Sequence, residues 1–206
     1  DKKGHHIFAL GGYSQEVDHS NYWDVTSIAS VFGKFNYSYN DKYLLEASVR
    51  MDGSSKFGPG HKFGYFPSVA LGWNISKEDF LKNSGFIKNL KLRASYGGLG
   101  NDENMKLYQY EDLISATNGE ETVWGNPDIT WERVDMLDIG ADATLLPNNK
   151  LDLTFDYYNK LTKGIILNPP VSYVGAVGSA PQNSGRVRNR GWELSLGYHS
   201  QLGKNT

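Results

Sequence analysis

The sequence predicts an all-β fold in which antiparallel up-and-down strands form part of a large transmembrane β-barrel. Three observations support this prediction: alternation of apolar and polar residues, connections that are alternately short and long, and aromatic residues near the strand ends. The segment 150–158 shows the alternation most clearly, because positions 151, 153, 155 and 157 are apolar or aromatic and the positions between them are mostly polar. A barrel wall needs strands of this kind, with one face toward lipid and the other toward the lumen.

The strand pattern repeats along the chain and predicts about eight strands. These strands cover residues 5–15, 30–39, 43–51, 63–75, 89–98, 130–145, 150–162 and 189–202. Pro67 predicts a bulge or the upper end of the fourth strand, because proline cannot donate a hydrogen bond to a neighbouring strand. Ser76 followed by Asp79 resembles a capping box and predicts a short helix over 76–82. A further short strand is expected near 107–113.

The connections alternate in length. Two of the three internal turns that follow descending strands are tight, at 40–42 and 147–149, and the third contains the short helix expected over 76–82. The loops that follow ascending strands are all long and cover 16–29, 52–62, 99–129 and 163–188. A free-standing sandwich has no reason to sort its loops by side, but a membrane barrel has short turns on the periplasmic side and long loops outside. The chain is therefore expected in the outer membrane of a Gram-negative cell.

The composition restricts the classes of function. The net charge is −2, so no nucleic-acid-binding surface is indicated. The absence of cysteine excludes a disulfide framework and a thiolate metal site. Residues 1–6 lack the apolar stretch of a signal peptide, and an exported barrel needs such a signal, so we expect the chain to be an internal piece of a longer protein.

Catalysis finds little support in the sequence. No G-x-S-x-G or H-E-x-x-H motif occurs, and the histidines show no metal-ligand spacing. We therefore expect neither an enzyme nor a cofactor or metal site. A surface hydrolase is the enzymatic alternative, but only scattered carboxylates support it. The polar strand faces are expected to line the lumen; they include Glu46, Arg50, Arg93, Asp152, Asp156 and Glu193.

Aromatic residues suggest two roles. One group lies near the short-turn ends and is typical of an interfacial girdle; it comprises Tyr37, Tyr39, Tyr43, Trp73 and Tyr198. A second group lies in the long loops, where aromatic rings could stack on a sugar, a peptide or a partner protein. Its members are Tyr108, Tyr110, Trp124 and Tyr173. Packing of these loops on themselves is the alternative for each of the four.

Several segments occur in a familiar order. They are FNYSYNDKYLL at 35–45, RMDGSSKFG at 50–58, GYFPS at 64–68, LKLRASYG at 90–97, NPDITWE at 126–132, DYYNKLT at 156–162 and NRGWEL at 189–194. With these segments the chain resembles, over nearly its whole length, the C-terminal barrel region of the SusC/RagA family of TonB-dependent outer-membrane transporters.

The resemblance implies a parent barrel of about 22 strands, plugged by an N-terminal domain. Residues 1–206 would supply about a third of that wall and no plug domain. The implied partners are a SusD-like surface lipoprotein that acts as a lid, the TonB complex acting through the absent plug region, and outer-membrane lipid. The implied cargo is a nutrient such as a glycan, an oligosaccharide or a peptide.

A soluble carbohydrate-binding β-sandwich is the alternative. It rests on the aromatic content of 13% and on the missing catalytic motifs. The two hypotheses differ in what covers the apolar strand faces, because a sandwich packs them against a second sheet of the same chain. A barrel leaves them to the lipid.

Overall fold

A computed structural model describes residues 5–10, 14–17, 25–82, 84–114, 121–147, 150–169 and 179–199, with the backbone alone at 5–10, 14–17, 113–114 and 121–123. Within these ranges no helix has the length and apolar character needed to cross a membrane. The strands are β1 (His5–Leu10), β2 (Ser14–Val17), β3 (Val25–Tyr39), β4 (Tyr43–Ser54), β5 (Phe63–Asn74), β6 (Ile87–Asn101), β7 (Leu113–Ile114), β8 (Glu121–Val123), β9 (Glu132–Leu145), β10 (Leu151–Leu167) and β11 (Gln182–Tyr198).

One nine-stranded antiparallel sheet contains every strand except β7 and β8, which pair with each other. The order across the sheet is β1-β3-β4-β5-β6-β9-β10-β11, so strands that follow one another lie side by side. This up-and-down arrangement confirms the predicted fold class. The tight turn at 40–42 explains the pairing of β3 with β4, because antiparallel neighbours can be joined by a short turn.

The predicted first strand is two elements in line. Both β1 and β2 pair with β3: Leu10 lies opposite Val31, and Ser14 lies opposite Ile28. The count of about eight strands therefore agrees with the positions across the sheet, although the sheet contains nine elements.

The strands reach further toward the long loops than the sequence predicted. β4 continues to Ser54, β6 to Asn101 and β10 to Leu167. The extra residues include Gly and Asp, which indicate loops in isolation, but pairing with a neighbouring strand outweighs these preferences. The loops at this end exceed the turns at 40–42 and 146–150, as predicted. The third turn-side connection, 75–86, is an exception, because its 12 residues outnumber the 8 residues of the loop 55–62.

Two local predictions were wrong. The helix expected over 76–82 is a single 3₁₀ turn at Ile75–Lys77, with no side-chain cap. Its supposed cap residue, Asp79, instead accepts a hydrogen bond from Lys82 at 2.7 Å. The strand expected near 107–113 is confined to Leu113–Ile114, because residues 107–110 form a turn in which Tyr108 has a φ of 61°.

Pro67 lies in a regular part of β5, opposite Val49 of β4, without a bulge. The pairing of β5 with β6 begins one residue later, at Ser68 opposite Gly97. Pro67 therefore marks the upper end of the β5–β6 ladder, where no donor is needed. Neither outcome expected for this proline is found, because no bulge forms here and β5 continues beyond Pro67 to Phe63.

The main sheet has one apolar and one polar face. A single row across the strands contains Tyr37, Leu45, Leu71, Ala94, Ile139, Tyr157 and Trp192. Trp192 is 67% exposed, and no second sheet covers this row in the part of the chain that the structure describes. A β-sandwich would bury these side chains, so the sandwich alternative loses its structural basis.

Candidate functional site: the loop-side rim and the polar face

The deepest burial occurs among the long loops, beyond the middle of the sheet. Phe57, Met105 and Ile129 are 0%, 1% and 0% exposed and pack together; we call this trio the rim core. The residues packed against the trio are Tyr110, Trp131 and Ile166. The rim core joins the β4–β5 loop, the β6–β9 loop and the end of β10, so the described residues of these three segments form one packed body.

Hydrogen bonds of the backbone and of serine side chains fix the β4–β5 loop, which contains Phe57. The amide of Ser54 donates to the carbonyl of Lys62 at 3.0 Å, which closes the loop. Ser55 and Ser27 exchange two bonds: the Ser55 amide donates to the Ser27 carbonyl at 3.0 Å, and the Ser27 amide donates to Ser55 Oγ at 2.8 Å. The serines of the segment 50–58 thus tie the loop to the neighbouring strand.

A buried carboxylate holds the β6–β9 loop. Glu132 is 3% exposed and accepts hydrogen bonds from Asn101 Nδ2 at 2.9 Å, from Asn104 Nδ2 at 2.9 Å and from the Ile166 amide at 2.8 Å. A buried carboxylate needs several donors to replace the water that it loses. Glu132 therefore links three elements that are distant in sequence.

A second buried carboxylate, Asp102, stands beside the same loops. It accepts a bond from Ser54 Oγ at 2.8 Å, and Lys56 Nζ lies 3.8 Å from its Oδ2. The Lys56 ammonium also donates to the Asp102 carbonyl at 3.2 Å. Asp102 thus fastens the β6–β9 loop to the end of β4.

The segment 126–132 forms the centre of this rim. Asn126 Nδ2 donates to the Pro181 carbonyl at 2.8 Å, and Thr130 exchanges two bonds with the Asn183 side chain at 2.9 and 2.7 Å. The Trp131 ring lies 5.0 Å from Phe57, and its Nε1 donates to the Lys62 carbonyl at 3.2 Å. The sequence singled this segment out but gave no signal of its distant partners.

The aromatic residues that were predicted to contact a ligand differ in their exposure to solvent. Tyr108 and Trp124 are 49% and 46% exposed. Their segments run side by side, because the Asn126 amide donates to the Gln109 carbonyl at 2.9 Å. Tyr110 packs against the rim core, and this burial raises the pKa of its hydroxyl. Tyr173 lies outside the described residues.

The predicted lumen residues lie on the polar face and are largely paired with one another. Arg93 Nε lies 3.1 Å from Asp142, and its two terminal nitrogens lie 2.7 Å from Asp156 and 3.6 Å from Asp138. One guanidinium thus joins the strands β6, β9 and β10. It can pair with several carboxylates at once because its five N–H donors point in different, fixed directions in one plane.

The other predicted lumen residues mostly form smaller pairs. Lys34 and Glu46 are 2.8 Å apart, Arg50 and Asp52 are 2.6 Å apart, and His199 lies 3.0 Å from Asp152. These groups satisfy one another across the strands of the polar face. Their geometry indicates a stabilised wall rather than a set of free ligand-binding groups.

The antiparallel sheet, its uncovered apolar face and its packed loop rim define a segment of a barrel wall. The family described as TonB dependent receptor-like, beta-barrel, matches residues 7–205. The chain therefore belongs to this family of TonB-dependent receptor β-barrels.

Individual relatives agree with this membership. TonB-dependent receptor P3 of Formosa agariphila is 38% identical over 199 residues, which cover 91% of this chain and 20% of that protein. TonB-dependent receptor SusC of Bacteroides thetaiotaomicron is 32% identical over 187 residues, which cover 82% of this chain and 18% of that protein. The chain thus spans about a fifth of the length of these curated relatives.

Solved structures show the same architecture. The RagAB peptide importer in its "open-open" state superposes with a TM-score of 0.77 at 30% identity, over 85% of this chain and 20% of that chain. The siderophore receptor PirA of Pseudomonas aeruginosa has a TM-score of 0.56 at 15% identity, which supports the fold alone.

Proposed function

We propose that this chain is part of the wall of an outer-membrane, TonB-dependent transporter that imports a nutrient into a Gram-negative cell. Residues 1–206 would supply about eight strands of the barrel, and the plug would come from other residues of the parent protein. The observation that carries this proposal is the apolar row across the sheet, from Tyr37 to Trp192, which lipid would cover.

The loop-side rim supports the partners in this proposal. The rim core and the bonds of Glu132 hold the long loops as a firm edge, and a SusD-like lipoprotein lid would rest on such an edge. Similarity to SusC and to the RagAB peptide importer supports the same assembly. Coupling to the TonB complex would occur through the plug, and the cargo would be a glycan, an oligosaccharide or a peptide.

Exposed aromatic rings would contact the cargo or the lid. Tyr108 and Trp124 present the rings best placed for this role, because both are about half exposed on adjoining segments of the β6–β9 loop. Tyr110 would support them from the rim core. Tyr173 belongs to the β10–β11 loop, and we propose it for the same contact on its sequence position.

The first experiment concerns the parent protein in its own cells. It would be extracted from outer membranes in mild detergent, purified, and its co-purifying proteins identified by mass spectrometry. We expect recovery in the outer-membrane fraction with a SusD-like lipoprotein in stoichiometric amount. Recovery of the parent protein only in a soluble fraction would overturn the proposal.

The second experiment tests the aromatic contacts. Tyr108→Ala and Trp124→Ala would be made in the parent protein, and calorimetry would measure binding of a tryptic peptide mixture and of a mixed oligosaccharide pool to the purified complex. We expect about tenfold weaker binding of one of the two mixtures, since buried aromatic contacts dominate many interfaces. Tyr65→Ala is the control, because Tyr65 is also exposed, at 61%, but lies on the apolar face. Unchanged binding in both loop variants would remove these residues from the site.

A further inference from the structure

The apolar face of β11 changes abruptly to a cationic one. Trp192, Leu194, Leu196 and Tyr198 share this face, and the next positions of the same parity are Arg190, Arg188 and Arg186. All three arginines are exposed. We call Arg186, Arg188 and Arg190 the arginine ladder.

Neighbouring strands add positive charge beside the ladder. Arg186 lies opposite Lys163 of β10, which lies opposite Arg133 of β9. In the described residues of β9–β11, the carboxylate on this face is that of Asp135. Its two oxygens pair with Arg133 and Lys163, each at 2.7 Å. Among the described residues no carboxylate lies within ion-pairing distance of the ladder.

The cationic surface is confined to one part of the apolar face. On β3, β4 and β5 the outward positions toward the long loops are apolar or aromatic and exposed, as at Val31, Val49 and Tyr65. The ladder thus marks one side of the sheet rather than a general rim of charge. A local cluster of this kind indicates a specific anionic partner.

The position of the ladder identifies that partner's chemistry. The ladder lies between the apolar row and the β10–β11 loop, which is the outer-leaflet level if the long loops face outside, as the proposed function requires. The outer leaflet of a Gram-negative cell consists of lipopolysaccharide, whose lipid A headgroup carries phosphates. Guanidinium groups bind phosphate through paired hydrogen bonds, and basic side chains beside a membrane attract anionic headgroups.

We propose that the arginine ladder binds the phosphates of lipid A, with Lys163 and Arg133 reinforcing the local positive charge. Alternate residues on a strand are roughly 6.8 Å apart, so the ladder spans about 14 Å and can contact more than one phosphate. The acyl chains of the same lipid would lie along Trp192, Leu194 and Leu196. This inference rests on the proposed function only for the direction in which the loops point.

The test uses the parent protein in mild detergent, with Arg186→Gln, Arg188→Gln and Arg190→Gln combined. Retained lipopolysaccharide would be measured by native mass spectrometry, and affinity would be measured with nanodiscs that contain lipopolysaccharide or its dephosphorylated form. We expect the triple variant to bind lipopolysaccharide at least about tenfold more weakly, and the unmodified protein to bind the dephosphorylated form equally weakly. The triple lysine variant, which keeps the charge but loses the paired geometry, should fall between them.

The control removes the same charge elsewhere, through Lys88→Gln, Lys106→Gln and Lys150→Gln, all at exposed positions. Heat-dependent gel mobility would verify that each variant barrel is folded. Lipopolysaccharide binding that survives the loss of the ladder would overturn the proposal. An equal loss of lipopolysaccharide binding in the control variant would also overturn it. The same holds if inorganic phosphate alone displaces the bound lipopolysaccharide, or if the triple variant changes the dimerisation of the parent protein without changing the amount of bound lipid. Outer-membrane fractionation is scored separately, so failure of the proposed function and failure of the ladder are distinguishable.

Discussion

The two ends of the sheet are stabilised in different ways. At the short-turn end, Glu78 accepts hydrogen bonds from Lys42 at 2.9 Å, Tyr43 at 2.8 Å and Trp73 at 3.1 Å, and the Tyr43 and Trp73 rings stack at 6.4 Å. We call these four residues the turn-side cluster. At the loop end, the rim core is apolar and closed to solvent.

The contrast shows where each kind of interaction can act. Polar contacts in the turn-side cluster keep aromatic rings at an interface, where one edge is apolar and the other is wet. The rim core excludes water and must be packed closely, so its stability depends on volume. We therefore expect substitutions in the rim core to be costly, and changes in the turn-side cluster to depend on pH.

The largest effect is expected from Phe57→Ala in the rim core. Truncation of a fully buried Phe leaves a cavity and should cost about 3–5 kcal/mol in the free energy of unfolding. Denaturant titration of the parent protein would measure this cost, and hydrogen exchange would show whether the loops at 55–62 and 102–131 open first. Phe57→Leu, which keeps most of the volume, is the control and should lose about 1.5 kcal/mol or less. A Phe57→Ala protein as stable as the unmodified one would contradict a packed rim.

The second effect concerns the buried polar part of the rim. Glu132→Gln replaces the carboxylate, which only accepts hydrogen bonds, with an amide. The NH₂ of this amide would face at least one of the donors of Asn101, Asn104 and Ile166, so that donor would lose its acceptor. We expect a loss of about 1–3 kcal/mol, the cost of unpaired buried polar groups. The same denaturant titration would detect it, with the exposed Glu103→Gln as the control. Equal stability of the two variants would mean that Glu132 does not organise the loops.

The third effect appears in the turn-side cluster when the pH is lowered. The bond from Lys42, followed by those from Tyr43 and Trp73, lowers the pKa of Glu78 from 4.5 to about 2. Because the folded pKa is the lower one, Glu78 stabilises the fold above pH 4.5, and this contribution is lost as the pH falls toward about 2. We expect Glu78→Gln to flatten the dependence of the melting temperature on pH in this window, whereas Glu103→Gln should not. Parallel profiles for Glu78→Gln and the unmodified protein would show that the cluster is not formed.

The smallest effect is expected at the surface of the same turn. Asp79 and Lys82 lie 2.7 Å apart, and the Asp79 side chain is largely exposed. Its pKa is lowered by the bond from Lys82, but solvent screens such pairs. Asp79→Asn should leave the melting temperature unchanged at neutral pH, within measurement. A clear decrease would show that the turn contributes more than the comparison of the two ends allows.

Local pattern predicted one end of the molecule better than the other. The sequence predicted the turn at 40–42 and the aromatic residues beside it. It also predicted that one strand begins at Tyr43 and that another ends at Leu145. The failure at 76–82 was also local in origin, because Asp79 has a partner in Lys82 that competes with the expected cap. Tyr108 and Trp124 were predicted on the loops, but only the structure showed Tyr110 packing inward.

The sequence by itself determined the alternation of the strands, their up-and-down order and the sorting of short and long connections, because a two-residue period and turn residues are local properties. The tertiary structure decided the rim core, the donors of Glu132 and the three carboxylates around Arg93. These contacts join residues far apart in the chain, and their formation depends on the strand register. No short segment records that register, because it is set by the pairing of whole strands.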